Sequence, residues 1–384
     1  MRITPFAAIA MAVVGLSACG GTSSATHPSA AAVTSAAPAA GAAAAPYLAP
    51  FHKITTVGST VPANGDVNPY GIAVVPSSTG SLVAGDVLIS NFNAKSNNQG
   101  TGTTIVQIDP STGKLSLFAT LKAGSLHGSC PGGVGLTTAL GILPGGYVVV
   151  GSLPTSNGMS ATAKYGCLIV VDPRGHAVST IAGSKIQGPW DMTVATHGST
   201  SSLFVSMALN GGAVVGRHVI DNSTVVRINV SSGPGQAPKV LSQQVIANKI
   251  PWRDDKSALV IGPTGDALGS NGTLYVADTL RSRIIAIPNA MTRTTPLADH
   301  GIAISHGGWL NQPLGLTRAP NGDLIAANAG NGNFVELTPG GKQVFKRAGD
   351  AQSGAGSLFG LVPAPGGHGL YYVDDGHNTL RLLH

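Results

Sequence analysis

The sequence predicts an all-β chain folded as a six-bladed β-propeller, its ring closed by an N-terminal strand that completes the last blade. Three observations carry the prediction. A unit of four short β-type runs recurs at roughly 45- to 70-residue spacing. No long stretch of helical period competes with it. The last unit lacks a fourth strand, and a spare strand stands ahead of the first. Of the 384 residues 53 are Gly and 25 Pro, 10% are charged and 43% hydrophobic, which describes a globular chain and not a disordered one.

In chain order, the opening "MRITPFAAIAMAVVGLSACG" has one early charge, Arg2, and an apolar run, Ile3 to Gly15, too short to span a bilayer as a mature helix. "LSAC", Leu16 to Cys19, resembles a bacterial lipobox. That resemblance implies a lipoprotein signal peptide over 1–18, diacylation (palmitate) of Cys19, and a membrane partner reached through the lipid anchor. The expected location is the cell envelope, extracytoplasmic. Gly20 after the cysteine, in place of a retention aspartate, points to the outer membrane in a Gram-negative host. Residues 19–48 are mostly Ala, Ser, Gly, Thr and Pro and read as a flexible tether, leaving 49–384 for the propeller.

"FHKITTVG", Phe51 to Gly58, is the spare strand. Blade 1 runs "NPYGIAVVPSSTG", "DVLISNFN", "TTIVQIDPSTG", "KLSLFATL". Blade 2 runs "GGVGLTTALGILPGG", "YVVVGSLP", "CLIVVDPRG", "HAVSTIAG", and blade 3 "GPWDMTVATHGSTS", "SLFVSMALN", "STVVRINVSSG", "PKVLSQQVIA". Blade 4 is read as "ALVIGPTGDALGSNG", "TLYVADTL", "RIIAIPNA", "TTPLADHG". Blade 5 is "QPLGLTRAPNG", "DLIAANAG", "NFVELTPGG", "KQVFKRAGD", and blade 6 is "LFGLVPAPGGHG", "LYYVDDGH", "NTLRLLH". Pairing Leu380 to His384 with the spare strand would close the ring and remove two exposed sheet edges.

"LYVADTLRSRIIAIPNA" (Leu274 to Ala290) and "LYYVDDGHNTLRLL" (Leu370 to Leu383) resemble the NHL repeat: a strand, Ala-Asp or its equivalent, a polar turn, then a second strand. The resemblance implies a propeller and says little about activity. Six-bladed relatives of this kind include metal-dependent lactonases and streptogramin lyases, whose channel-mouth carboxylates, amides and histidines often surround a divalent cation.

Strands alternate direction within a blade, so the loop entering each first strand shares a face with the loop joining the second and third. That face collects His127, Trp190, Asp191, Trp252, Arg253, His306 and Trp309 from the entry loops, and Asp278, Arg281, Asn328, Asp374 and His377 from the others. It holds all three tryptophans and the longest insertions, the form a binding site takes on a rigid scaffold. Asp278 recurs as Asn91, Asn328 and Asp374, which suits a residue that ends a strand and bonds the turn; Arg283 is expected to face outward. Cys130 and Cys167 fall on this same face and, in an exported chain, are expected to form a disulfide that pins the Ser152–Gly166 insertion.

The +6 net charge is scattered and reflects few acids, Glu336 being the only glutamate, so a nucleic-acid partner is not expected. No HExxH, phosphate loop or GxSxG is present. Two functions fit. One is a membrane-anchored module binding a peptide, glycan or partner protein on the tryptophan-bearing face. The alternative is a divalent-metal-dependent hydrolase or lyase, with Ca²⁺ or Mg²⁺ on Asp191, Asp278, Asn328 and Asp374. Glu336, on a third strand, is expected to lie away from the channel. The incomplete catalytic set favours the first.

Overall fold

In the computed structural model, which describes residues 45–210, 218–349 and 356–384, the strands form six antiparallel sheets in the predicted order. The signal peptide, Cys19 and nearly all of the expected tether lie outside the described residues. Blade 1 comprises Val67–Val74, Val87–Asn93, Thr104–Ile108 and Leu115–Thr120. Blade 2 comprises Leu136–Leu143, Tyr147–Ser152, Cys167–Val171 and Ala177–Ile181. Blade 3 is Pro189–His197, Thr200–Met207, Ile220–Gly233 and Gln236–Asp255, with Leu259–Ile261 as a fifth strand. Blade 4 is Pro263–Leu268, Leu274–Asp278, Arg283–Ile287 and Ile302–His306. Blade 5 is Pro313–Arg318, Leu324–Asn328, Asn333–Leu337 and Gln343–Ala348. Blade 6 is Leu358–Pro363, Leu370–Asp374 and Thr379–Leu383, completed by Ile54–Ser59.

The second strands, and the third strands of blades 1, 2, 4 and 5, are buried along nearly their whole length, because each sheet packs between two others; this is why they read as unbroken apolar runs. Each seam has its own core. Val170 and Leu203 meet between blades 2 and 3, Ile246 and Val276 between 3 and 4, and Phe334 and Tyr372 between 5 and 6.

The closing strand pairs as expected, Ile54 opposite Leu383 and Ser59 opposite Thr379. The compact unit begins earlier than the sequence reading placed it. Tyr47 and Leu48, assigned to the tether, donate their backbone N–H groups to the two Glu336 oxygens at 2.6 and 2.8 Å, and Leu48 is fully buried. Glu336 does lie off the channel, and here it holds the incoming chain.

Two blade boundaries differ from the reading. The fourth strand of blade 4 is Ile302–His306, not Thr294–Gly301. Pro296 has no N–H for a ladder, and Asp299 and His300 turn the chain with φ of 58° and 72°. Leu259–Ile261 folds back on Arg253–Asp255 and does not open blade 4. Trp252 and Arg253 therefore sit on a strand, not an entry loop.

All six first strands slip register at the same level, between Pro69 and Gly71, Leu136 and Leu140, Pro189 and Met192, Pro263 and Asp266, Pro313 and Gly315, and Leu358 and Leu361. Such bulges bend a strand and re-aim its side chains. Glycine is required where neighbouring bulges touch: a Cβ on Gly315 would strike the Phe359 carbonyl, and one on Gly360 the Tyr70 carbonyl. Serine hydroxyls stitch adjacent blades. Ser206 Oγ accepts from Asp191 N at 3.2 Å and donates to Thr264 O at 2.6 Å; Ser90 joins Gly71 and Thr137 in the same way.

Candidate functional site in the central channel

The bulges divide the channel in two. Toward the loop-bearing face they turn Tyr70, Trp190 and Phe359 inward with Phe92 from the second strand of blade 1. Tyr70 lies 4.0 Å from Phe359, 4.9 Å from Phe92 and 5.7 Å from Trp190 between ring centroids. Trp252, Leu259 and Val260 belong to the same buried cluster, so the extra hairpin of blade 3 caps this plug. Its tip is held across the face by Gln99, whose amide donates to Lys256 O and Ser257 O at 3.2 and 2.9 Å.

Below the plug the channel is open. A cavity of about 330 Å³ is lined by first-strand residues of all six blades and extends toward the opposite face, where the turns between first and second strands lie. Ile72, Val74, Leu140, Ile142, Met192, Val194, Leu316, Leu361 and Val362 form most of its wall. Asp191 and Asp266, from the bulges of adjacent blades, line it just beneath the plug, near Thr138.

Asp191 keeps some surface open to the cavity, yet protein atoms crowd its carboxyl. Burial pushes it up to about 7, against hydrogen bonds from Met192 N (2.8 Å), Asp266 N and the Thr138 hydroxyl. Asp266 is 4% exposed; burial, and then the charge of Asp191, raise it well above the usual carboxylate range. Its Oδ2 accepts from Ser206 N at 3.0 Å, while its Oδ1 is buried with no hydrogen-bond partner. Among the described residues no Lys, Arg or His lines the cavity. With both carboxyls held against ionisation, one can serve as acid and the other as base near neutrality.

The other predicted residues do not converge here. Trp190 and Trp252 are fully buried in the plug and offer no contact surface; Trp309 is 39% exposed, with Lys346 Nζ 5.6 Å from its ring. Asp191 is a channel residue, not a loop residue. Asp278 is buried and occupied at both oxygens, Oδ1 by Arg281 N at 3.3 Å and Oδ2 by Arg283 Nε at 2.7 Å. Arg283 thus turns back onto its own loop instead of facing outward. Asp374 takes His377 Nδ1 at 3.0 Å and Arg381 Nε at 2.9 Å, and Asn328 donates to Trp309 O at 2.8 Å. Arg281 reaches toward Asp221 at 3.9 Å, Arg253 toward Asp255 at 3.4 Å, and His127 and His306 are exposed.

The expected metal ligands Asp278, Asn328 and Asp374 therefore end the second strands of three different blades, each engaged with its own turn, and Asp191 stands apart from them. Among the described residues no group of three or more His, Cys, Asp or Glu is placed to hold a metal ion. That ligand set does not fit a cation. The disulfide is present: Cys130 and Cys167 are joined, with their Cα atoms 5.2 Å apart.

No family model and no curated protein sequence matches the chain. Solved structures match its fold. Regucalcin from Agrobacterium tumefaciens, described as a calcium-binding protein, is 13% identical, with a TM-score of 0.55 over 87% of this chain and 93% of that one. A gluconolactonase from Xanthomonas campestris is 14% identical, with a TM-score of 0.52 over 86% and 88%. A luciferin-regenerating enzyme is 11% identical, with a TM-score of 0.51 over 86% and 94%. At these identities the likeness is one of fold.

Proposed function

We propose that the central channel, entered from the face opposite the tryptophans, is the working site, and that it presents a small molecule to Asp191 and Asp266 for proton transfer of the hydrolase or lyase kind. The observation that carries this reading is the carboxyl pair at the closed end of a cavity large enough for a small molecule. The protonated carboxyl gives its proton to a leaving group. The ionised one takes a proton from water in a hydrolase, or from carbon in a lyase. The aromatic plug keeps solvent from reaching the pair from behind.

The disulfide supports export to an oxidising compartment, and we keep the lipid on Cys19 as part of the proposal. Asn321, in the turn between the first two strands of blade 5, donates to Ala45 O at 3.3 Å, so the described chain starts on the same face as the channel mouth. A peptide or glycan partner on the loop-bearing face is a second reading. It is favoured by a cleft of about 500 Å³ among Asn97, Gln99, Asn157, Met159 and Asp254.

The test is turnover of a panel of esters, lactones, amides and β-substituted carbonyl compounds by the full chain, beside Asp191→Asn and Asp266→Asn. A substrate should emerge whose kcat/KM falls about 100-fold or more in each variant. Activity that survives both substitutions rules the pair out.

A further inference from the structure

Apart from the proton that the carboxyl pair itself holds, the closed end of the channel offers acceptors and, among the described residues, no cationic donor. Among the described residues, no cationic side chain lines the cavity that Asp191 and Asp266 face, and the buried Oδ1 of Asp266 meets no donor. Among the described residues the donors given to the two carboxyls are the amides of Met192, Asp266 and Ser206 and the Thr138 and Ser206 hydroxyls, all of them neutral. Outward from the pair the wall becomes aliphatic, through Leu140, Val194, Leu316 and Leu361.

An entering group is best matched if it brings donors, a positive charge and an apolar body. An ammonium has three donors and no acceptor. An alcohol brings one donor and sets its own lone pairs toward the carboxylates. A carboxylate or phosphate meets like charge where water is scarce, and the repulsion is strongest there.

We propose that the channel takes an amphiphile headed by a primary ammonium, the head seated between Asp191 and Asp266 and the aliphatic body lying along the wall to the mouth. This rests on the channel being the working site and narrows it to substrates or products that carry an amine. Nothing in the neutral lining of the other blades offers the head a competing charge.

The experiment is calorimetric titration of the full chain with n-hexylammonium, n-hexanol and hexanoate at one pH and ionic strength. Hexylammonium should bind at least tenfold more tightly than hexanol, with hexanoate undetectable. Asp266→Asn should bring hexylammonium down to the level of hexanol. Val194→Trp, which fills the channel below the pair, should abolish binding of both. It also serves where the Asp266 variant fails to fold. Equal binding of hexanol and hexylammonium, both blocked by Val194→Trp, overturns the ammonium head and leaves the channel standing. Hexylammonium binding that neither variant alters lies on the outer surface and overturns both readings. A panel substrate turned over through Asp191 and Asp266, with none of the three probes bound, overturns the ammonium head alone.

Discussion

Two aspartates that look alike in the sequence have opposite fates, and the bulge decides between them. Asp278 ends a regular second strand, where the chain turns at once and brings Arg281 N and Arg283 Nε to its oxygens. Burial raises its carboxyl, and Arg283 draws it partly back. Asp278→Ala would leave the mostly buried Arg283 without its carboxylate. We expect a loss of about 3 kcal/mol in urea unfolding, with channel binding unchanged. A loss under half that, or a loss of channel binding in a folded variant, contradicts the assignment. The role of Asp278 was legible because three other blades repeat its position. Asp266 was not singled out, since "PTGD" passes for a strand with its turn. Its signal lay in comparing first strands: "NPYG", "QPLG" and "SLFG" are uncharged, and only "PWDM" and "PTGD" carry an acid into the ring.

At the scale of the element, two features fasten the chain where a propeller is weakest. One is the N-terminal segment, held by strand pairing with blade 6 and by Glu336 of blade 5. Glu336→Ala removes a buried acceptor from two backbone N–H groups and from the Asn321 amide, 3.1 Å away. The expected cost is about 3 kcal/mol, with proteolysis near Tyr47 accelerated. Unchanged cleavage there would show that the strand pairing alone holds the segment. The other is the disulfide, which spans a sequence separation of 37 residues. By loop entropy it contributes about 4 kcal/mol, so Cys130→Ser/Cys167→Ser should melt roughly 5 °C lower. A melting point equal to wild type would mean that the Gly132–Tyr165 and Lys164–Pro154 backbone bonds already fix the insertion. The closing strand and the bridge could be read from the sequence, because each has a partner at a repeat-defined place. The capping hairpin could not: Leu259–Ile261 resembles any first strand, and only packing on Trp252 and the aromatic plug turns it back.

At the scale of the whole molecule, the few acids lie in unusual surroundings, and this fixes how stability depends on pH. Burial raises Asp191 to about 7, burial and the charge of Asp374 raise Asp375 to about 7, and burial with Glu336 nearby raises Asp323 to about 6. Asp266, Asp278 and Asp86 are raised as well. The folded state therefore holds protons that the unfolded chain releases above about pH 4. The stability this confers is complete below that pH and is lost as pH rises through 6 to 7. Asp109 runs the other way, held at about 2 by hydrogen bonds from Ser111 and Thr112. Against its burial, the His176 and Arg174 amides also hold Asp172 down. Their contribution is present above about pH 4 and is lost as pH falls toward 2. The melting temperature should thus peak between about pH 4 and 5 and fall by several degrees by pH 8, measured calorimetrically at constant ionic strength. A curve flat from pH 5 to 8, or rising, contradicts the raised carboxyls. Asp191→Asn identifies the source of the fall. An amide cannot ionise, so the variant should keep its stability better than wild type between pH 6 and 8. If it declines just as steeply, the neutral-range titration belongs to Asp375 at the loop-bearing end, and the channel pair gives up its proton outside that window.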